Sequence, residues 1–417
     1  MTAAQVRRTY YVLGFGSTLA ASLIWGVNTI FLLDAGLTNF EAFTANAFFT
    51  AGMVLFEVPT GVVADSWGRR ASYLLGTVTL AITTALYLGL WYVHGPFWAW
   101  AISSVLIGLG FTFFSGATEA WLVDALRATG YTGSLDTVFA REQVFTGAGM
   151  LLGAGGGGFL AQFAGLSAPY LLRAAVLLVM FVLAAVLMHD LGFTPQRGAV
   201  LPEIRRIVAG SVEYGLKVRP VRWLMLSEPF TFGAAIYVSY ALQPYLLDLW
   251  GTETAYGIAG LSAALLAAAQ IVGGLGAPAV RARFHRRTNM LLVMLGLGAA
   301  AVLLMGVIRN FWAVLALIIL WGLVSAAAMP ARQAYLNGLI PSEQRATILS
   351  FDSLMGSTGG VVAQPALGRA ADVWGYPASY ALSGVVSALA LPFIWLSRRE
   401  NAPADFERQP AATPGGP

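Results

Sequence analysis

The stretch Gly61-Val62-Val63-Ala64-Asp65-Ser66-Trp67-Gly68-Arg69-Arg70 decides how the rest of the chain is read. It closes one long apolar run, and another apolar run starts directly after its two arginines. Gly68 permits a tight reversal of the backbone, and Gly61 permits close approach of a neighbouring helix. Asp65 is an expensive acid at the edge of an apolar slab, so it needs a basic partner. The pattern predicts two membrane-crossing helices joined by a short, positively charged turn on one side of a bilayer.

Working outward, the composition agrees. Hydrophobic residues make up 58% of the 417 residues and charged ones 11%, with a mean hydropathy of +0.71. A soluble domain carries about a quarter charged residues, so water is not the main solvent for this surface. One crossing takes about 20 apolar residues. Apolar runs between charged or Gly/Pro punctuation predict spans 1 to 6 near 9–33, 39–64, 71–93, 97–126, 141–165 and 168–189. Spans 7 to 12 are predicted near 223–249, 255–279, 289–308, 311–338, 346–371 and 376–397. The expected organisation is a first six-helix lobe over 1–189, a cytoplasmic linker over 190–221, a second lobe over 222–397 and a tail over 398–417. No small-residue cleavage site follows Arg7 and Arg8, so span 1 is read as retained. Cysteine is absent.

The arginines test this topology. All of the 24 basic residues except Arg173, Arg309, Arg332 and Arg369 fall on the side that carries the N-terminus. Positive charge is retained in the cytoplasm, so both termini are expected there, in a multi-pass protein of a bacterial inner (plasma) membrane. The basic pI near 9.4 then reports orientation and contact with the lipid bilayer; a nucleic-acid partner is not implied. Within the linker, Glu203–Lys217 reads as an amphipathic surface helix or as a plain solvated connection.

The two halves repeat one another. Ala120-Trp121-Leu122 near the end of span 4 matches Ala334-Tyr335-Leu336 near the end of span 10. Arg141 opens span 5 as Arg345 opens span 11, and the glycines from Gly147 to Gly158 parallel those from Gly356 to Gly368. Repeated halves are how many transporters are built.

The Gly61–Arg70 loop resembles the signature loop of the major facilitator superfamily, G-x-x-x-D-R-x-G-R-R, with Ser66 in place of the first arginine. The resemblance implies an all-α membrane protein of twelve helices in two pseudo-symmetric lobes. It also implies a brace between lobes on the cytoplasmic side, completed by an acid at the inner end of span 4, where Asp124 stands. Gly61, Asp65, Gly68, Arg69 and Asp124 are therefore a candidate gate cluster; the alternative is a charge cluster that only holds orientation. In the second half, Gly276 to Arg287 lacks the acid. Gly149, Gly153, Gly157 and Gly158 of span 5 resemble the antiporter motif of bacterial drug/proton exporters, with Ala154 replacing its proline. Simple tight packing by small residues covers the same facts. Many proton-coupled exporters carry an arginine in mid-span 4, and the region of Ser104 ahead of Gly108 has none.

An ionisable side chain inside a span is a functional candidate by default. Glu119 in span 4 is the first candidate for proton coupling and Glu57 in span 2 the second, with a static pairing of either to Arg141 as the alternative. On a continuous span 4, Thr112, Ser115 and Glu119 would share a face. Candidate cavity residues are Trp25, Asn28, Thr112, Ser115, Tyr237, Tyr240, Gln243, Trp321 and Arg332. Asp352, at similar depth to Arg332, is its expected partner. Arg173 is read as lying near the outer face. Asp34 and Glu41, at the outer ends of spans 1 and 2, either pair with it, form an outer vestibule or, on the plainer reading that is preferred, simply lie at the surface.

The three histidines lie far apart and make no metal site; no phosphate loop and no G-x-S-x-G frame occur, so no cofactor and no enzyme are expected. The expected function is a secondary, proton-coupled antiporter, a monomer, exporting a small apolar or amphipathic molecule by alternating access. An importer of a small solute is the alternative, and a membrane-embedded enzyme or a receptor the remote ones.

Overall fold

The computed structural model describes residues 1–195, 200, 202, 215–341 and 344–406. The segment read as an amphipathic linker helix lies mostly outside these residues, as does the tail beyond 406. Among the described residues every long element is an α-helix, and the order is that of twelve spans in two bundles.

Nine helices are long and apolar enough to cross a membrane, and the last of them, Thr347–Arg399, holds two crossings. The remaining two crossings are the ones chemistry has made less uniform. Span 1 is split into Ala3–Ser22 and Asn28–Asp34, and span 7, Arg219–Trp250, carries Arg222, Glu228 and Asp248 among its apolar residues. Span 2 is Asn39–Trp67, 29 residues, or about 43 Å at 1.5 Å per residue, longer than the roughly 30 Å hydrocarbon slab. Its outer surface, like that of span 6 at Leu178, Val182 and Val186, is exposed and apolar at helical spacing, as a lipid-facing stripe requires.

Span 3 is Arg69–Tyr92, span 5 Leu135–Ala164, span 6 Ser167–Leu187, span 8 Tyr256–Arg281, span 9 Arg287–Val307 and span 10 Phe311–Leu339. Spans 11 and 12 run through Arg345–Ala388, turning sharply at Gly375 (φ 80°), and span 12 continues as Leu391–Arg399. Span 5 starts six residues before its predicted boundary, because the polar turn around Asp136 and Arg141 is helical yet too polar for a hydropathy reading.

Span 4 departs from expectation. It divides into Phe97–Thr112 and Ala117–Ala128, with Gly116 left-handed at φ 65°. Thr112, Ser115 and Glu119 therefore do not lie along one regular helix face.

The repeat is visible in the contacts. Trp121 donates from its Nε1 to the His189 carbonyl at 2.8 Å, just beyond span 6. Its counterpart Tyr335 meets Ser397 of span 12 at 3.0 Å. Asp190, also beyond span 6, accepts from the Arg70 backbone N–H at 2.9 Å, at the start of span 3. Asp405, beyond span 12, accepts from the Thr288 N–H at 2.8 Å and its hydroxyl at 2.7 Å, at the start of span 9. A carboxylate at a helix N-terminus satisfies orphan donors and complements the dipole. The acid missing from the Gly276–Arg287 loop is supplied by the segment after the last helix.

Candidate functional site

The two bundles meet along two seams, span 2 on span 11 and span 5 on span 8. Among the described residues the hydrogen bonds between bundles lie in the half away from the termini. Asp372 of span 11 accepts from the Asn39 and Phe40 backbone N–H groups, each at 2.9 Å, capping span 2 of the other bundle. Tyr376 donates to the Asn39 side chain. Further in, Gln364 donates to Thr50 at 3.3 Å.

Gln243 bridges to the break in span 1. Its Oε1 accepts from the Thr29 N–H at 3.0 Å and its Nε2 donates to the Trp25 carbonyl. A broken membrane helix frees backbone groups that must be satisfied within the protein, and here one amide from the opposite bundle satisfies two. Replacing Gln243 with leucine strands both, at about 1–3 kcal/mol per buried group. The expected result is a lower melting temperature and faster alkylation of a single cysteine placed at Thr29, which is fully buried in this state.

Three glycines close the seam. A Cβ on Gly26 of span 1 would stand 2.7 Å from the Gly260 Cα, and one on Gly158 of span 5 would stand 2.5 Å from the same atom. Gly149 and Gly153 likewise meet span 1 backbone, at Phe15 O (2.9 Å) and Leu19 O (3.0 Å), and Gly157 packs on the Leu23 carbonyl. The stripe in span 5 thus makes backbone-to-backbone packing within its own bundle and, at Gly158, across the seam.

Towards the termini three helix glycines are left unpacked. A Cβ on Gly61, Gly274 or Gly276 would meet nothing within 4 Å, so the close packing expected of Gly61 is not made in this state. Of the gate cluster, Asp65 pairs with Arg69 at 2.5 Å, and Gly68 turns at φ 104°. Among the described residues Asp124 joins neither, and Asp190 stands beside the turn, accepting from the Arg70 N–H.

The candidate proton carriers stand apart. Glu57 accepts from Ser115 Oγ at 2.6 Å, which ties span 2 to the break in span 4. Glu119 is exposed in the first turn after that break, close enough to Glu142 of span 5 for their charges to interact. Neither Glu57 nor Glu119 pairs with Arg141 among the described residues. Glu142, the second residue of the predicted span 5, is a further acid at this place that the sequence reading does not single out.

Arg173 is corrected outright. It is 2% exposed inside the first bundle, donating to Thr84 Oγ1 at 3.1 Å with Phe111 beside its guanidinium. Asp34 instead accepts from Trp91 and Glu41 from Thr38.

Of the cavity candidates, Asn28 bonds Asn46 and Tyr170, Tyr237 is buried on Ser379 at 2.7 Å, Thr112 is buried, and Tyr240 offers its carbonyl to Thr29. Trp25 is 42% exposed. Trp321 and Arg332 line a cavity of about 200 Å³ in the second bundle. Arg332 holds Asp352 as expected, Nη1 to Oδ2 at 2.6 Å and Nη2 to Oδ1 at 2.7 Å. It also holds Glu228 of span 7 at 2.9 Å, a third member the sequence did not suggest.

Two six-helix bundles in a lipid-facing coat, bridged by hydrogen bonds at the end away from the termini, have the build of a membrane transporter. The sequence profile described as Major Facilitator Superfamily matches residues 10–282 and 230–414, and the chain belongs to that family. Multidrug resistance protein MdtG of Proteus mirabilis is 24% identical over 413 residues, covering 94% of this chain and 96% of its own length. Among solved structures, a mutant of the nucleoside transporter NupG superposes with a TM-score of 0.78 at 12% identity, over 94% of this chain and 99% of its own. A D-xylose-proton symporter does so at 0.67 and 16%, over 94% and 96%. The relatives are transporters, and this chain is a transporter, not an enzyme.

Proposed function

We propose that the protein is a proton-coupled antiporter that exports a small apolar or amphipathic molecule across a bacterial inner membrane, with both termini in the cytoplasm. The observation that carries the reading is the one-sided seam. Among the described residues the hydrogen bonds between bundles lie in the half away from the termini. With the glycine crossing at Gly260 they form a seam of polar bridges and small residues that can be remade. A bundle pair of this kind rocks about a central path. We take residues 1–189 and 222–397 as the rocking bodies, 190–221 as their connection and 398–417 as the tail, and the working unit as a monomer. The full-length similarity to a multidrug resistance protein, together with the span 5 glycines, supports export. The retained basic face supports the orientation.

For coupling, Glu119 is the first choice and Glu57 the second, since neither has a basic partner among the described residues. A thermal-shift screen over lipophilic cations, antibiotics, lipids and sugars identifies a substrate. Vesicles with that substrate should then show efflux-direction transport that collapses with the proton gradient. Glu119→Gln should reduce gradient-driven flux at least ten-fold while leaving the melting temperature unchanged. Unaltered proton dependence removes Glu119 from the mechanism; net uptake driven by the same gradient establishes an importer instead.

A further inference from the structure

The Glu228–Arg332–Asp352 cluster holds two carboxylates against one guanidinium. Neutralising Arg332 needs only one of them. An additional ionised acid inside a membrane bundle costs several kcal/mol unless something balances it, and the geometry shows which acid is the additional one. Asp352 grips both guanidinium nitrogens with both of its oxygens, at 2.6 and 2.7 Å. Glu228 reaches Arg332 with Oε2 alone, at 2.9 Å, and that same oxygen accepts from Thr231 at 3.2 Å. Glu228 Oε1 has no hydrogen-bond partner among the described residues. The Arg332 Nε, the one guanidinium nitrogen without a partner, is buried away from any entering molecule.

Glu228 also stands in the wall of the 200 Å³ cavity, between spans 7, 9, 10 and 12, whereas Asp352 does not. Arg332 is in the wall too, with its charge already matched by both oxygens of Asp352. The rest is mostly apolar, Phe232, Met294, Leu295, Val324 and Trp321 among them. An aromatic face beside a carboxylate attracts organic cations, and methionine adapts to their shape. An anion would meet uncompensated negative charge; a neutral molecule would leave that charge unbalanced. A bare metal ion would find too few oxygens, since no group of three or more metal-ligating side chains occurs among the described residues.

We propose that this cavity is a binding site for a compact organic cation, an ammonium on an apolar or aromatic body, with Glu228 as its counter-ion and Trp321 and Phe232 as its walls. Asp352 keeps Arg332 neutralised throughout and takes no part in recognition. The proposal names a substrate class for the transport reading and rests on that reading only for the ligand's fate, not for its binding.

The test is calorimetric titration of the full-length protein in lipid nanodiscs with benzyltrimethylammonium, whose charge does not depend on pH, and with benzenesulfonate. The cation should bind saturably and the sulfonate should not. Removing one charged partner from a buried contact should weaken the cation by about ten-fold or more in Glu228→Gln, at an unchanged melting temperature. Met294→Trp, which fills the cavity and leaves every charge in place, should abolish binding; it carries the test if Glu228→Gln does not fold. Equal binding of the sulfonate, no saturable binding of the cation, or an unchanged affinity in both variants overturns the proposal. Binding needs no gradient, so cation binding without gradient-driven flux overturns the export reading alone. Gradient-driven flux of a neutral molecule with no cation binding overturns this inference alone.

Discussion

Replacing Arg332 with leucine is expected to destabilise the second bundle by about 3–5 kcal/mol, the cost of breaking a buried ionic cluster from one side. The side chains of Arg332, Glu228 and Asp352 are 15%, 18% and 9% exposed, so solvent screens them little. Without the guanidinium, Glu228 and Asp352 face each other across spans 7 and 11 with no positive charge between them. The size of the effect comes from those stranded carboxylates and less from the lost attraction. A second variant separates the two: Arg332→Leu combined with Glu228→Gln and Asp352→Asn should recover most of the lost stability, because no ionised group is then left behind. Thermal melting of both proteins in the same detergent decides it. A triple variant as unstable as the single one would mean that Arg332 holds the bundle by packing, and the charge argument for the cavity would lose its footing.

What sequence alone revealed follows a physical line. The Gly61–Arg70 turn and the placement of arginines were readable because orientation and turns are written locally, in charge and in glycine. Asp352 could be matched to Arg332 because both depths follow from counting along a helix. Glu228 could not, since nothing in one apolar run states which neighbouring span it will touch. The breaks at Leu23–Val27 and Phe113–Gly116 were invisible for a related reason. Both stretches stay apolar through the interruption, and the groups that satisfy the first break come from Gln243, more than 200 positions away. Asp190 and Asp405 escaped notice because each follows its bundle and caps a helix begun much earlier in the chain. Arg173 was misplaced although its helix was predicted to within one residue at its start. Depth along a helix does not say which face turns inward, and the groups that hold Arg173, Thr84 and Phe111, belong to other spans.

The largest functional effect is expected at Gly260. Its Cα is the atom on which hypothetical side chains of both Gly26 and Gly158 converge, at 2.7 and 2.5 Å, so spans 1, 5 and 8 meet there backbone to backbone. A valine in that position has no flexible neighbour to displace. Overpacking of a tight core costs about 1–3 kcal/mol, and a contact with backbone on both sides belongs at the upper end. About 3 kcal/mol against the sealed state shifts the ratio of sealed to parted conformers by roughly 100-fold. Gly260→Val should therefore hold the end away from the termini open, cut transport by a comparable factor, and leave the bundles themselves folded. Because the chain has no cysteine, one introduced at Thr29 reports the opening by its alkylation rate from that side. Gly156→Val supplies the comparison: it lies in the same glycine stripe, yet a Cβ there meets nothing within 4 Å, so its valine should transport at close to the original rate. If both variants alkylate and transport alike, the three-glycine crossing is ordinary packing and the seam opens elsewhere.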